Sequence, residues 1–298
     1  MPMSVNSAPP DRATSAPASR NAVLDWVLIA CLFALLVAGY WNTLSQTARL
    51  LAFSEDMAHG FFAPLVAAYI AWQRRNAAFP APLATSPWGL LALLLAAPVA
   101  VAAMLGGSTT VSRFAFLVSL AGCILVAGGY RAFRTLLLPL ALLLFTFPIP
   151  AVLYGDLTLP LQLLASRLSE MVFELMGFSV IRDGNILELP RQRLSVAEAC
   201  SGLRSLITLS FFCIVYAHFF EHRRWIRIIL IGAALPAAII LNVVRIVTTG
   251  LLGGWRPQYT VGIYHDLLGW LCFALGFGLV LLVHWVVVRV ASQRSAGP

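Results

Sequence analysis

Apolar residues run through this chain in long unbroken blocks, not in the alternating or three-to-four spaced patterns of soluble strands and helices. Eight blocks are candidate membrane-spanning helices, at roughly 23–44, 57–73, 87–105, 110–128, 135–153, 198–219, 226–249 and 265–289. A helix needs about 20 apolar residues to cross about 30 Å of hydrocarbon, and it keeps every backbone polar group bonded while doing so. The second block is the shortest. Residues 1–21, rich in Pro, Ala and Ser, read as a disordered cytoplasmic tail, residues 22–290 as one transmembrane domain, and 291–298 as a short cytoplasmic tail. The first block is long enough to stay as an anchor and does not fit a removable signal peptide.

The longest polar interval, 154–197, separates the fifth and sixth blocks. Within it, 156–178 set Leu159, Leu163, Leu164, Leu168, Met171, Phe173, Leu175 and Met176 among Arg167, Glu170 and Glu174. That pattern predicts an amphipathic helix lying on the membrane or on the bundle, with a tilted extra span as the alternative. Over 179–196, Asp183-Gly184 interrupts β-prone residues and predicts a short hairpin leading toward Cys200. The expected fold is therefore an all-α polytopic membrane protein of about eight transmembrane helices, with an extracytoplasmic amphipathic helix and a short hairpin.

Composition agrees. Hydrophobic residues make up 60% of the chain and charged residues 11%, less than half the charge of an ordinary soluble domain. The net charge of +8 comes from arginine alone, since there is no lysine. A basic domain outside the membrane would point to nucleic acid. Here the arginines flank the blocks and set topology. With the N-terminus in the cytoplasm, the inside segments hold Arg12, Arg20, Arg74, Arg75, Arg131, Arg134, Arg223, Arg224, Arg227, Arg289 and Arg294, and the short outside loops hold only Arg49, Arg113 and Arg256. Segment 154–197 then lies outside, the face that becomes periplasmic in a bacterial inner membrane.

Of the five cysteines, Cys31, Cys123, Cys213 and Cys272 lie inside apolar runs, where cysteine acts as a small hydrophobe. Cys200 has polar neighbours and opens the sixth block from outside. Arg245 lies near the outer end of the seventh block, and His265 opens the eighth, again from outside. A thiol, a guanidinium and an imidazole on one membrane face suit cysteine-nucleophile chemistry. A thiolate attacks more readily near a cation or a helix N-terminus. An imidazole can take and return a proton, and an arginine that never deprotonates can hold an oxyanion. Arg204 lies one turn after Cys200, and Asn242 one turn before Arg245 on the same face. His59 is a further candidate near the outer mouth, as a substrate-site residue, a second base or a loop residue capping the second block. His218 and His222 fall on the opposite face. No role follows for His284. There is no HExxH, no CxxC and no carboxylate pair at ligand spacing, so neither metal nor cofactor is expected. The rival readings are a transporter or flippase that uses Arg245 and His265 at a cavity, and a membrane scaffold with no chemistry of its own.

The reactive residues sit in motifs that resemble the exosortase/archaeosortase family of membrane cysteine transpeptidases. They are Glu198-Ala199-Cys200-Ser201-Gly202-Leu203-Arg204-Ser205, Pro236 with Asn242-Val243-Val244-Arg245-Ile246, and His265 with Gly269. Asp56-Met57-Ala58-His59-Gly60, Phe147-Pro148-Ile149-Pro150 and Gly184-Asn185-Ile186-Leu187-Glu188-Leu189-Pro190 also fit, and together the motifs cover about 23–290. Met57-Ala58 stand where the family pattern has Tyr-Ser, a departure that touches subtype more than class. The resemblance implies that Cys200, Arg245 and His265 form the catalytic trio; His59, Glu198, Arg204 and Asn242 are the candidates for supporting or substrate-binding roles. It implies membrane-anchored substrates with a C-terminal signal of the PEP-CTERM type, in which a Pro-Glu-Pro-like motif is followed by a transmembrane helix and a basic cluster. The protein released from its signal then passes to an acceptor, in Gram-negative bacteria alongside exopolysaccharide production. One of Arg182, Arg191, Arg193 or Arg204 is expected to meet the glutamate of that motif. The chain ends soon after the eighth block, so the soluble C-terminal domain of some members is not expected.

Overall fold

The structure, a computed structural model, describes residues 22–53, 57–79, 85–190, 192–196, 202–256, 258 and 262–295. It is built almost wholly of helices, as expected of an all-α polytopic membrane protein. In chain order they are α1 (Ala22–Gly39), α2 (Trp41–Phe53), α3 (Ala58–Ala78), α4 (Pro87–Leu105), α5 (Thr109–Thr135), α6 (Leu137–Leu143), α7 (Ala151–Leu175), α8 (Leu203–Phe220), α9 (Arg224–Trp255) and α10 (Ile263–Ser295). Three short strands lie between α7 and α8: β1 (Ile181–Asp183), β2 (Ile186–Leu189) and β3 (Gln192–Ser195). The predicted tail at 1–21 lies outside the described residues.

Among the described residues, five helices, α4, α5, α8, α9 and α10, are long and apolar enough to cross a membrane, and a sixth crossing is available if α1 and α2, bent by 72° at their junction, form one broken span. The remaining two of the eight predicted blocks differ for physical reasons. In α3 the apolar run ends at Trp72, and Gln73, Arg74, Arg75 and Asn76 fill its last turns. The block at 135–153 is not one helix. It holds α6 and a single 3-10 turn, Leu144–Thr146, and the segment 147–150 then leaves the helix before α7 begins. Pro148 and Pro150 account for the break, because proline disfavours the helical conformation of the residue before it. The expected amphipathic helix is α7, which starts five residues earlier than its apolar pattern suggested.

The chain divides into two compact units, Met1–Leu44 with Trp72–Leu137 and Ser45–Ala71 with Leu138–Pro298. In the first, α4 and α5 form a tight helical hairpin. A Cβ on Gly89 would sit 2.6 Å from the Gly122 carbonyl oxygen and the Val126 nitrogen, so the two backbones are in direct contact, as small residues allow between membrane helices. Tyr40 Oη lies 2.9 Å from Ser119 Oγ and Thr43 Oγ1 lies 2.6 Å from Ser112 Oγ, tying the end of α1 and the start of α2 to α5.

In the second unit, α8, α9 and α10 share a core of Leu209, Cys213, Ala217, Ile226, Leu230, Ala234, Ala237, Ala238 and Val280. Ala63, Ala67 and Ile70 of α3 pack with Leu142 and Phe211. A third cluster places the strands against α7 and α9 through Ala165, Phe173, Leu187, Val196, Val243, Ile246 and Val247. The predicted hairpin is a three-stranded antiparallel meander in the order β1-β2-β3. Gly184, with φ of 61°, takes the first position of the two-residue loop closing β1 on β2, the place where a primed turn requires positive φ. Asn185 then locks the meander. Its Nδ2 donates to Gln162 Oε1 of α7 at 3.2 Å and to the Val196 carbonyl at 3.1 Å, and its own carbonyl accepts from the Val196 N–H at 2.8 Å.

At the turn between α8 and α9 is a polar network. Tyr216 Oη lies 2.8 Å from His284 Nδ1, whose Nε2 lies 3.1 Å from Glu221 Oε2. The Arg223 N–H donates to Glu221 Oε1 at 2.7 Å, and Arg227 Nε donates to the Glu221 carbonyl at 2.6 Å. Burial pushes the Glu221 carboxyl up, but the Arg223 N–H and then the His284 ring outweigh it and leave the carboxyl below its ordinary value. A carboxylate depressed in the folded state stabilises above its unfolded value, and that contribution is lost as pH falls through the folded value. Thermal stability in detergent should therefore drop on acidification below about pH 4.3, the unfolded glutamate value, and Glu221→Gln should flatten that drop. An unchanged acid profile in the variant would contradict the assignment.

Candidate active site

The first turn of α8 is capped by Gly202, whose φ of 78° lies in the left-handed region. A Cβ there would also lie 3.1 Å from Cγ and Nδ2 of Asn242. Glycine is thus required twice, by conformation and by the close approach of α9. Asn242 is 4% exposed. One turn on, Arg245 is 8% exposed, and its guanidinium lies along α10: a Cβ on Gly269 would sit 3.6 Å from Nη2 and 3.7 Å from Cζ. Gly269 is one turn after His265 on that helix. Ser205, Leu209, Leu241, Cys272, Phe273 and Gly276 join Asn242 and Arg245 around a narrow crevice among α8, α9 and α10.

One face of α9 therefore connects the two sequence positions of interest. Asn242 touches the residue two past Cys200, and Arg245 touches the residue four past His265. Cys200 and Glu198 lie outside the described residues. His265 is the third residue of α10, and its side chain lies outside the described ones. Arg204 is half-buried in the first turn of α8. The N-terminus of α8 presents N–H groups that have no partner within the helix, and with them the positive end of the helix dipole.

His59 is not a loop residue. It is the second residue of α3, 4% exposed, with Nδ1 3.1 Å from Thr208 Oγ1 of α8 and its ring against Phe211. Its neighbour Gly60 lets α3 come close, since a Cβ there would meet Leu51 Cδ2 at 2.7 Å and the Phe145 carbonyl oxygen at 3.2 Å. Thr208 is the partner that sequence reasoning missed. It sits inside an apolar run, one turn beyond Arg204, and that spacing was the available signal.

The four arginines proposed for substrate contact separate. Arg182 Nε donates to Glu170 Oε2 of α7 at 2.6 Å with both side chains partly buried. Arg193 Nε lies 3.2 Å from Glu188 Oε1 across β3 and β2, well exposed. Arg191 lies outside the described residues. Arg204 is the one on the helix that Cys200 precedes. Among the described residues no three His, Cys, Asp or Glu side chains are grouped to hold a metal.

The left-handed backbone at Gly202 gives a direct test. Gly202→Ala should lose about 1–2 kcal/mol from conformation alone, read as a lowered Tm in detergent, with further loss from displacing Asn242. A variant as stable as the parent would contradict this reading.

A family model for the transmembrane exosortase matches residues 41–282. No curated protein matches the chain, and no solved structure matches it. The matched span runs from the start of α2 into α10 and takes in every residue of the candidate site. It is well over half of the chain, which therefore belongs to the exosortase family.

Proposed function

We propose that this chain is a membrane-embedded cysteine transpeptidase. It cleaves a C-terminal sorting signal of the Pro-Glu-Pro, transmembrane helix and arginine-cluster type at the outer, periplasmic face of the bacterial inner membrane, and transfers the released protein to an acceptor. The observation that carries the reading is the double contact of α9. Asn242 packs on Gly202 beside the cysteine motif, and Arg245 packs on Gly269 beside the histidine. Two peptide links separate Cys200 from Gly202, a reach of about 7 Å, which supports reading the cysteine and histidine motifs as parts of one site.

The chemistry follows from those roles. His265 takes the Cys200 proton, and the thiolate sulfur attacks the carbonyl carbon of the scissile bond. The Arg245 guanidinium donates to the oxygen that gains negative charge. On collapse the C–N bond breaks, the amine leaves with the proton held by His265, and a thioester joins the substrate to Cys200. An acceptor nucleophile, having lost its proton to His265, attacks that thioester and regenerates the thiol. Asn242 and Glu198 support the site, and His59, held by Thr208, fixes α8 against α3. A substrate cut just outside its own membrane helix needs its nucleophile at the interface, and Arg223, Arg224 and Arg227 at the far end of α8 favour the cytoplasmic side for that end and the outer side for its start.

Of the four arginines, Arg204 lies in the first turn of the helix that follows Cys200, and it is the candidate for the motif glutamate. Arg204→Glu should weaken processing about tenfold or more, and a Glu→Arg change in the substrate motif should restore part of it. Equal processing by the single variant would remove Arg204 from this role.

The test is co-expression with a tagged protein carrying such a tail, compared with the same protein lacking the motif. A motif-dependent size shift is expected, and mass spectrometry of the new C-terminus distinguishes an attached acceptor from a free carboxylate. A tail that is never cut, over a panel of motif variants, would contradict the assignment.

A further inference from the structure

The meander has an outer edge that leads directly into the cysteine motif. β2 and β3 pair in the register Ile186↔Ser195, Leu187↔Leu194, Glu188↔Arg193 and Leu189↔Gln192. The bond from the Val196 N–H to the Asn185 carbonyl fixes which residues of β3 bond to β2. In an antiparallel ladder, bonded and non-bonded pairs alternate, so Leu194 and Gln192 exchange hydrogen bonds with β2. Arg193 and Ser195 then turn their N–H and C=O groups away from it. Their side chains are exposed, whereas Gln192 and Leu194 are half-buried. These two inward side chains anchor the strand on α9: Gln192 Nε2 donates to the Gly250 carbonyl, and Leu194 Cδ2 would lie 3.5 Å from a Cβ on Gly250. Among the described residues, no strand pairs with this edge.

We propose that the outer edge of β3 is the substrate-docking surface, on which an extended segment of the protein substrate adds as a fourth strand. An edge strand with unpaired backbone groups is a template for another chain, and strand addition binds an extended peptide mainly through its backbone, leaving alternate side chains to specify sequence. The occupant is a peptide and not a lipid because the groups offered are alternating backbone donors and acceptors. It is a substrate strand and not a second copy because β3 ends five residues before Cys200, a distance of about 16 Å in extended chain. The connecting chain thus keeps a substrate paired along β3 within about 16 Å of the cysteine position. The exposed Arg193 sits on this edge, its side chain paired with Glu188 of β2. The proposal rests on the transpeptidase reading for its biological purpose, but binding at the edge can be measured without chemistry.

Two measurements test it. Ser195→Pro removes an outward N–H and places a ring in the path of an added strand, while leaving the β2 ladder bonds intact. It should keep the thermal stability of wild type and process the tagged substrate at least tenfold more slowly. Processing at the wild-type rate would overturn the proposal. The second measurement uses a full-length variant with Cys31→Ser, Cys200→Ala and Ser195→Cys, together with substrates carrying single cysteines along the segment ahead of their transmembrane helix. Disulfide cross-links to position 195 should form at alternate substrate positions, the period of a strand. No cross-link, or cross-links at consecutive positions without alternation, would overturn the proposal even if Ser195→Pro proves unstable. Absence of processing by wild type would instead count against the catalytic reading, and the cross-linking pattern would still decide the docking edge.

Discussion

Cys200→Ala and Cys200→Ser should both leave a sorting-signal protein uncut at matched expression, a loss of about ten-thousandfold or more. Alanine removes the nucleophile. Serine is the more informative change, because it keeps the size of the side chain and a hydrogen-bonding hydroxyl. A free thiol has a pKa near 8.5, and it falls near cations and at helix N-termini. Cys200 precedes the N-terminus of α8 and stands four residues before Arg204 in the sequence. A hydroxyl in the same place is a far weaker acid and stays un-ionised, so its attack is much slower. If Cys200→Ser keeps a tenth of wild-type processing, the thiol is not the attacking group, and the transporter and scaffold readings regain their standing. Thermal stability close to wild type in both variants would show that the loss is chemical.

Arg245→Lys should lower kcat/KM about 100- to 1000-fold, the usual effect of removing one donor from a developing oxyanion. The change keeps the positive charge and removes the flat, forked geometry. The guanidinium approaches Gly269, where a Cβ would lie 3.6 Å from Nη2 and 3.7 Å from Cζ, and an ammonium on a flexible stem cannot offer two donors in a fixed plane. The loss should appear mainly in kcat, since an oxyanion donor acts in the transition state and not on the bound peptide. A rise in KM with kcat unchanged would recast Arg245 as a substrate-binding group.

Much of the scaffold was legible in the chain. The block at 87–105 coincides with α4, and α8, α9 and α10 lie where unbroken apolar runs place them, because burial in lipid imposes length and composition directly on the sequence. Arg245 and Asn242 stood out for the same reason, as polar residues one turn apart in an otherwise apolar helix. The break at 147–150 was written in Pro148 and Pro150, yet the apolar residues on either side hid it. The third strand was not visible, since Gln192–Ser195 carries no alternation of apolar residues. It is held by a register, by Asn185 and by the Gly250 carbonyl, all of them contacts outside the strand. Tyr216, His284 and Glu221 show the same limit. Each looks interfacial or idle alone, and only helix packing brings them within 3.1 Å. His59 was found as a residue type, but its partner Thr208, 149 positions away, was not.

The central claim is that Cys200 carries the substrate as a thioester. Its most direct test is the intact mass of the purified protein after incubation with a sorting-signal substrate in the absence of acceptor. The account predicts an adduct equal to the substrate fragment ahead of the cut, located at Cys200 by peptide mapping and released by hydroxylamine. Cleavage of the substrate with no adduct at Cys200, or the same adduct in Cys200→Ala, would contradict it.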